Sequence, residues 1–110
     1  MYEIVISSHF KKQLKPYLKK DKKLLEKLKT NLNNFEKTQA ISLGQDMYKT
    51  RIQGMEKGKS GGYRLYIHIM EIDEILSPIC IYPKSSQENI TKQELRWHLQ
   101  TVTVELRKMM

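Results

Sequence analysis

Apolar and polar positions change period several times along this chain, and each change marks an element. Tyr2 to Ile6 alternates weakly and is rich in Ile and Val, which predicts a short strand. Ser7 and Ser8 offer N-cap oxygens for a first helix, with Phe10, Leu14 and Leu18 on one face. Pro16 interrupts that pattern and is expected to kink the helix or end it early. Asp21 can cap a second helix whose stripe is Leu24, Leu25, Leu28, Leu32 and Phe35. Lysines fill the positions between the stripes from Lys11 to Lys29, so the two helices read as a hairpin with a cationic outer surface.

From Thr38 to Gly44 the pattern lapses into a connecting loop. Met47 to Gln53 then reads as a strand, with Tyr48, Thr50 and Ile52 on one side and Lys49, Arg51 and Gln53 on the other. A glycine- and lysine-rich loop from Gly54 to Gly61 leads to the clearest strand, Tyr63 to Met70. There Leu65, Ile67 and Ile69 face one way, and Arg64, Tyr66 and His68 the other. After a turn around Glu71 to Glu74 comes a last strand, Ile75 to Tyr82. Pro78 cannot donate to a ladder, which predicts an edge position or a bulge. Thr91 and Glu94 have capping-box spacing, Ile90 can staple onto Leu95, and Leu95, Leu99, Val102 and Leu106 supply the face of a final helix. The expected order is β-α-α-β-β-β-α. This is one α+β domain over residues 1–110, with the helical hairpin packed on one face of a small antiparallel sheet.

Charge sharpens this picture. Twenty Lys+Arg against twelve Asp+Glu give +8, and the isoelectric point is near 9.6, which favours a polyanionic partner such as nucleic acid. At 110 residues there is room for one modest core. The single cysteine, Cys80, excludes an internal disulfide framework and argues against a cysteine-built zinc site. No secretory signal opens the chain, and no apolar run is long enough for a membrane helix, so a cytoplasmic protein without a membrane partner is expected.

The alternation carries a chemical consequence. If Leu65, Ile67 and Ile69 pack against the helices, Arg64, Tyr66 and His68 point to the open face of the sheet. Lys49 and Arg51 join them from the neighbouring strand, and Tyr82 and Lys84 can reach the same surface from the last one. Cations and a phenol on one surface suit cleavage of RNA through its own 2′-hydroxyl, which needs proton exchange and stabilisation of a phosphorane but no metal or cofactor. Arg64 is the natural charge stabiliser, because a guanidinium can contact two phosphate oxygens at once. Lys84 or Tyr82 can exchange protons, and His68 is the conventional acid–base by its ordinary pKa, although mid-strand it also fits a half-buried packing residue. Other motifs fall away. Gly58-Lys59-Ser60 lacks P-loop spacing and links two strands, His9 and His98 lack metal-ligand neighbours and read as surface or packing residues, and Trp97 with His98 fits packing or partner contact.

The run Gly58-Lys59-Ser60-Gly61-Gly62-Tyr63-Arg64, followed by Ile81-Tyr82-Pro83-Lys84, resembles toxins of type II toxin–antitoxin systems, in particular the RelE/HigB branch. Leu43-Gly44-Gln45-Asp46-Met47-Tyr48-Lys49-Thr50-Arg51 is similar to that family's Gly-…-Lys-x-Arg strand. The resemblance implies a RelE-type fold and an endoribonuclease that cuts translated mRNA in the ribosomal A site. It also implies partners: the ribosome with its 16S ribosomal RNA, and a cognate antitoxin, expected to be a helix-turn-helix DNA-binding protein. Carried over by position, Lys49, Arg51, Arg64, Tyr82 and Lys84 fall where such toxins keep basic or aromatic active-site residues, and Lys57 and Lys59 fall in a loop near RNA. Some members have a tyrosine at the start of the last helix where this chain has Ile90 and Thr91, so the general base is open among Tyr82, Lys84 and His68. The alternative is a ParE-like toxin that poisons DNA gyrase, which needs the fold without the phosphate-facing cluster.

Overall fold

The computed structural model of the chain describes residues 2–53, 62–87 and 89–109. Its organising strand is β5 (Ile75–Pro83), which is buried along most of its length and pairs on both sides. A strand covered on both faces needs a near-continuous apolar run, and Ile75 to Tyr82 supplies one. On one side β5 pairs antiparallel with β4 (Tyr63–Met70), then β3 (Met47–Ile52) and β2 (Ile41–Gly44); on the other it pairs parallel with β1 (Glu3–Ile4). The sheet is therefore mixed, in the order β1-β5-β4-β3-β2.

Two cores sandwich it. Helix α1 (Ser8–Lys20) and helix α2 (Leu24–Asn33) bring Phe10, Leu14, Leu24, Leu28 and Leu32 onto Ile52, Leu65, Ile67, Ile69, Leu76 and Ile81. On the opposite face helix α3 (Lys92–Met109) lays Leu95, Val102 and Leu106 against Met47, Tyr66, Ile79, Cys80 and Tyr82. The fold is thus α+β with a helical hairpin on a small sheet, in the order β-α-α-β-β-β-β-α.

Pro78 sits at a bulge, as its missing N–H requires. Tyr66 pairs with Cys80 but Ile67 pairs with Pro78, so Ile79 is the extra residue. The bulge flips the alternation, which is why Leu76 and Ile81 both serve the hairpin core while Ile79 and Cys80 turn to α3. Gln13 of α1 straddles it, donating to the Ile79 carbonyl (2.9 Å) and accepting from the Ile81 amide (3.3 Å).

Three expectations are revised. Helix α1 runs through Pro16 to Lys20; the proline is exposed, so the carbonyl it strands faces water rather than core. Residues 41–44, expected as loop, form edge strand β2, which has no buried side and so leaves no apolar period to read. It reaches β3 through Gln45 and Asp46, both at positive φ (54° and 60°), the backbone of a tight type I′ hairpin turn. Finally, the sheet face bearing Arg64 is not open, because α3's apolar stripe needs a partner and finds it there: Tyr66 is only 2% exposed.

Candidate active site

Register fixes which side chains share the α3 face. Arg51 lies directly opposite Arg64, and Lys49 opposite Tyr66, across β3 and β4. Tyr82 lies opposite Arg64 across β4 and β5. Directly opposed residues share a face, so Lys49, Arg51, Arg64, Tyr66 and Tyr82 come together on the α3 side of the sheet, with Tyr66 and Tyr82 inside the α3 core. Lys84, half-buried, opens the turn just after β5, and its amide donates to the Gly62 carbonyl (3.0 Å).

Among the described residues the positive charge here has no acidic counterpart. Like charges directly opposite one another destabilise a sheet, yet Arg51 faces Arg64. Arg64 is only 9% exposed, and among the described residues no carboxylate pairs with it and its Nε has no hydrogen-bond partner. A buried guanidinium without an anion is costly, and a phosphate carries the oxygen ligands that would offset that cost. Burial, then the Arg64 and Arg51 charges, hold the Lys49 ammonium below the ordinary lysine range. Lys49 Nζ donates to Asn89 Oδ1 (3.2 Å), which joins β3 to the segment that leads into α3.

The tyrosines are committed to structure. Tyr82 Oη lies 2.9 Å from Tyr66 Oη and accepts from the Ile90 amide at 3.1 Å. Their rings stack with centroids 5.9 Å apart. Burial, followed by the hydrogen bond to Tyr82, pushes the Tyr66 phenol up. This pair pins the start of α3, and Thr91 continues the work: its Oγ1 accepts from the Glu94 amide at 3.1 Å.

His68 stands apart. It is four residues along β4 from Arg64, on the order of 13 Å, opposite Met47 and Ser77. Burial lowers its pKa, and Asp46 offsets this in part. Lys57 and Lys59 lie outside the described residues. Cys80 is buried, and desolvation pushes its thiol up to about 12, as suits an unreactive packing residue. Among the described residues no three His, Cys, Asp or Glu side chains converge as a metal site.

Beside the cationic cluster a cleft of about 390 Å³ opens between the β2–β3 hairpin and the start of α3. Lys49 and Tyr66 form part of it, and Asn89, Lys92 and Arg96 line its α3 side. Reading the sequence for alternation missed Lys92 and Arg96. The signal was present: two cations four residues apart in the first turns of a helix, where the dipole disfavours positive charge.

A second cluster joins α1 to α3 away from this site. His9 Nε2 and His98 Nδ1 lie 2.7 Å apart, and the His9 ring meets Trp97 edge-on at 5.1 Å. Glu105 accepts from the Ser8 amide (2.6 Å), the Ser8 hydroxyl (2.7 Å) and the His9 amide (3.3 Å).

A mixed sheet flanked by a helical hairpin on one face and a single helix on the other, with a guanidinium that no carboxylate pairs with among the described residues, defines a small α+β protein. The family model for the RelE toxin of the RelE/RelB toxin–antitoxin system matches residues 4–109. The chain belongs to that family: it is a toxin of a toxin–antitoxin system and has a cognate antitoxin as partner. No curated protein matches it. Among the described residues no helix is long and apolar enough to cross a membrane.

Proposed function

We propose that this toxin is a ribosome-dependent endoribonuclease that cuts translated mRNA in the A site and so halts translation in the cytoplasm. The observation that carries the reading is Arg64, a buried guanidinium with no anionic partner among the described residues, facing Arg51 and Tyr82. Membership of the RelE family supports a toxin of this general kind. In the proposed reaction Lys49, whose pKa is lowered from the ordinary lysine value by burial and by the Arg64 and Arg51 charges, takes the proton from a ribose 2′-hydroxyl. The 2′-oxygen attacks the adjacent phosphorus, and Arg64 with Arg51 holds the charge that builds on the phosphorane. The bond from phosphorus to the 5′-oxygen breaks, and the leaving oxygen takes a proton from Lys84. The products are a 2′,3′-cyclic phosphate and a 5′-hydroxyl, and no step calls for a metal. Tyr82 acts here as a positioning residue, since its hydroxyl is engaged by Tyr66 and Ile90. The Gly-Gly-x-Arg and Tyr-x-Lys motifs support a HigB-like branch, whose antitoxin would be a helix-turn-helix DNA-binding protein.

Purified protein added to a translating extract, with mRNA ends mapped by primer extension, tests the proposal. Ribosome-dependent cuts are expected, and Arg64→Ala should reduce their rate by on the order of 10²–10³ while the fold stays intact. Intact mRNA accompanied by stalled DNA gyrase would overturn it in favour of a ParE-like poison.

A further inference from the structure

Strand β5 has a strand beside its outer edge for only part of its length. There β1 pairs with Ile75 and Leu76, and the Glu3 and Val5 amides donate to the Glu74 and Leu76 carbonyls (2.7 and 3.0 Å). Past Leu76, among the described residues, β5 pairs with β4 alone. Gln13 of α1 stands in for the missing neighbour. Its Nε2 donates to the Ile79 carbonyl (2.9 Å), and its Oε1 accepts from the Ile81 amide (3.3 Å). One carboxamide thus supplies the donor and the acceptor that a residue of an adjacent strand would supply. Buried Phe10 and Leu14 flank it on α1, so the packing of the helix delivers the amide to the strand.

The place it grips decides what faces Arg64. Ile79 is the extra residue of the bulge, and the two bonds fall just after it, on either side of Cys80. With the bulge, Tyr82 lies opposite Arg64 and Ile81 opposite Leu65. Counted on from the Ile67–Pro78 pair without it, Ile81 would oppose Arg64 and Tyr82 would oppose Tyr63. Such a slip turns every later side chain to the other face of the sheet. Tyr82 would leave Tyr66 and Ile90, and Lys84 would move by roughly 3.3 Å. Ile79, Cys80, Ile81 and Tyr82 are all buried and apolar enough for either face, so burial alone does not choose between the two registers. The bonds from Gln13 do.

We propose that Gln13 is a positioning residue for the cleavage reaction: it holds the β5 bulge, and with it the register that sets Tyr82 against Arg64 and places Lys84. The inference deepens the nuclease reading. Its effect on rate rests on that reading, and its effect on register does not. Gln13 touches neither substrate nor reacting atoms in this scheme, since it belongs to α1 in the hairpin layer while Arg64 lies on the α3 side of the sheet.

Two variants of the whole protein test it. In Gln13→Glu a protonated carboxyl has the donor and acceptor of the amide, whereas the ionised form cannot donate to the Ile79 carbonyl. Cleavage on programmed ribosomes, at saturating ribosome, should fall roughly 10²-fold at neutral pH. It should recover toward the parent rate as pH drops through the pKa of the new carboxyl, which burial raises. The ratio to the parent at each pH cancels the titration of Lys49 and of the His9–His98 pair, which both proteins share. Gln13→Leu should lose the same rate with no recovery at any pH, and the ribosome concentration for half-maximal rate should not change in either variant. Register is read without activity: in Gln13→Leu the proton NMR cross-peaks between the Tyr66 and Tyr82 rings should disappear while those within α3 persist. Rates within several-fold of the parent in both variants, a loss in Gln13→Glu that low pH does not reverse, or unchanged Tyr66–Tyr82 cross-peaks in Gln13→Leu would each overturn the proposal. If the parent protein makes no cuts, the nuclease reading falls, and the cross-peaks alone decide whether Gln13 holds the register.

Discussion

Arg64 and Tyr82 face each other across two strands, yet the fold treats them in opposite ways. Among the described residues the buried guanidinium has no hydrogen-bond partner for its Nε, while the phenol is buried and engaged by Tyr66 and Ile90. Under the proposed function, that contrast separates a group kept for substrate from a group that holds the frame. Tyr82→Phe should therefore act on stability. It strands the Ile90 amide, a loss of about 1–3 kcal/mol, visible as a lower urea midpoint, while cleavage persists at a reduced rate. A loss of activity as deep as that of Arg64→Ala, at unchanged stability, would instead make the hydroxyl a proton carrier. Strand alternation alone was enough to put Lys49, Arg51 and Arg64 on one face, because Leu65, Ile67 and Ile69 leave that strand no other orientation. The commitment of the Tyr82 hydroxyl was not legible, since its partners come from residues 66 and 90 and meet only after the sheet and α3 have formed.

Among the elements, the helices show where local rules yield to context. Pro16 removes one backbone hydrogen bond from α1 but sits on its wet side. Pro16→Ala should restore that bond and raise stability by about 1–3 kcal/mol, reduced by the greater freedom it gives the unfolded chain. Thermal melts of the two proteins check this. Helix α3 is fastened to α1 by the imidazole pair and by Glu105. Burial, then the neighbouring His9, depress His98 from 6.5 to about 4. His9 is lowered as well, by burial first, with Glu105 opposing and Lys12 assisting. The unfolded chain thus takes up a proton on His98 that the folded chain refuses. Stability from this contact is complete above the unfolded value and declines as pH drops toward about 4. The melting temperature should fall over that window, and His98→Asn should flatten the dependence. The proline at the β5 bulge and the Thr91 cap could be read from single residues. Strand β2 could not, because all four of its residues are exposed and its pairing is set by the hairpin turn rather than by burial.

Over the whole molecule, the +8 charge and the two-core sandwich have different duties. The cores set the geometry of the sheet; under the proposed function the excess lysines, many on the outer surface of α1 and α2, govern how the protein meets the ribosome. Association with ribosomes should weaken as salt rises, by roughly tenfold or more between about 50 and 200 mM if three phosphates are neutralised. Replacing the exposed Lys19, Lys22 and Lys23 by glutamate should lower that affinity in sedimentation without changing the melt. The charge excess and the fold class were legible from the first reading. The second layer was not, since an amphipathic final helix fits either a partner or its own sheet, and only the buried Tyr66, Cys80 and Tyr82 decide for the sheet.

The parallel seam between β1 and β5 imposes an order of events. Glu3 and Ile4 have no hairpin to guide them to Ile75 and Leu76; they meet those residues only after most of the chain has been laid down. The β3–β4–β5 meander closes through near neighbours and can assemble early, whereas the first strand must search across a large loop and dock late. Truncating or charging residues 3–4 should therefore speed unfolding far more than it slows refolding.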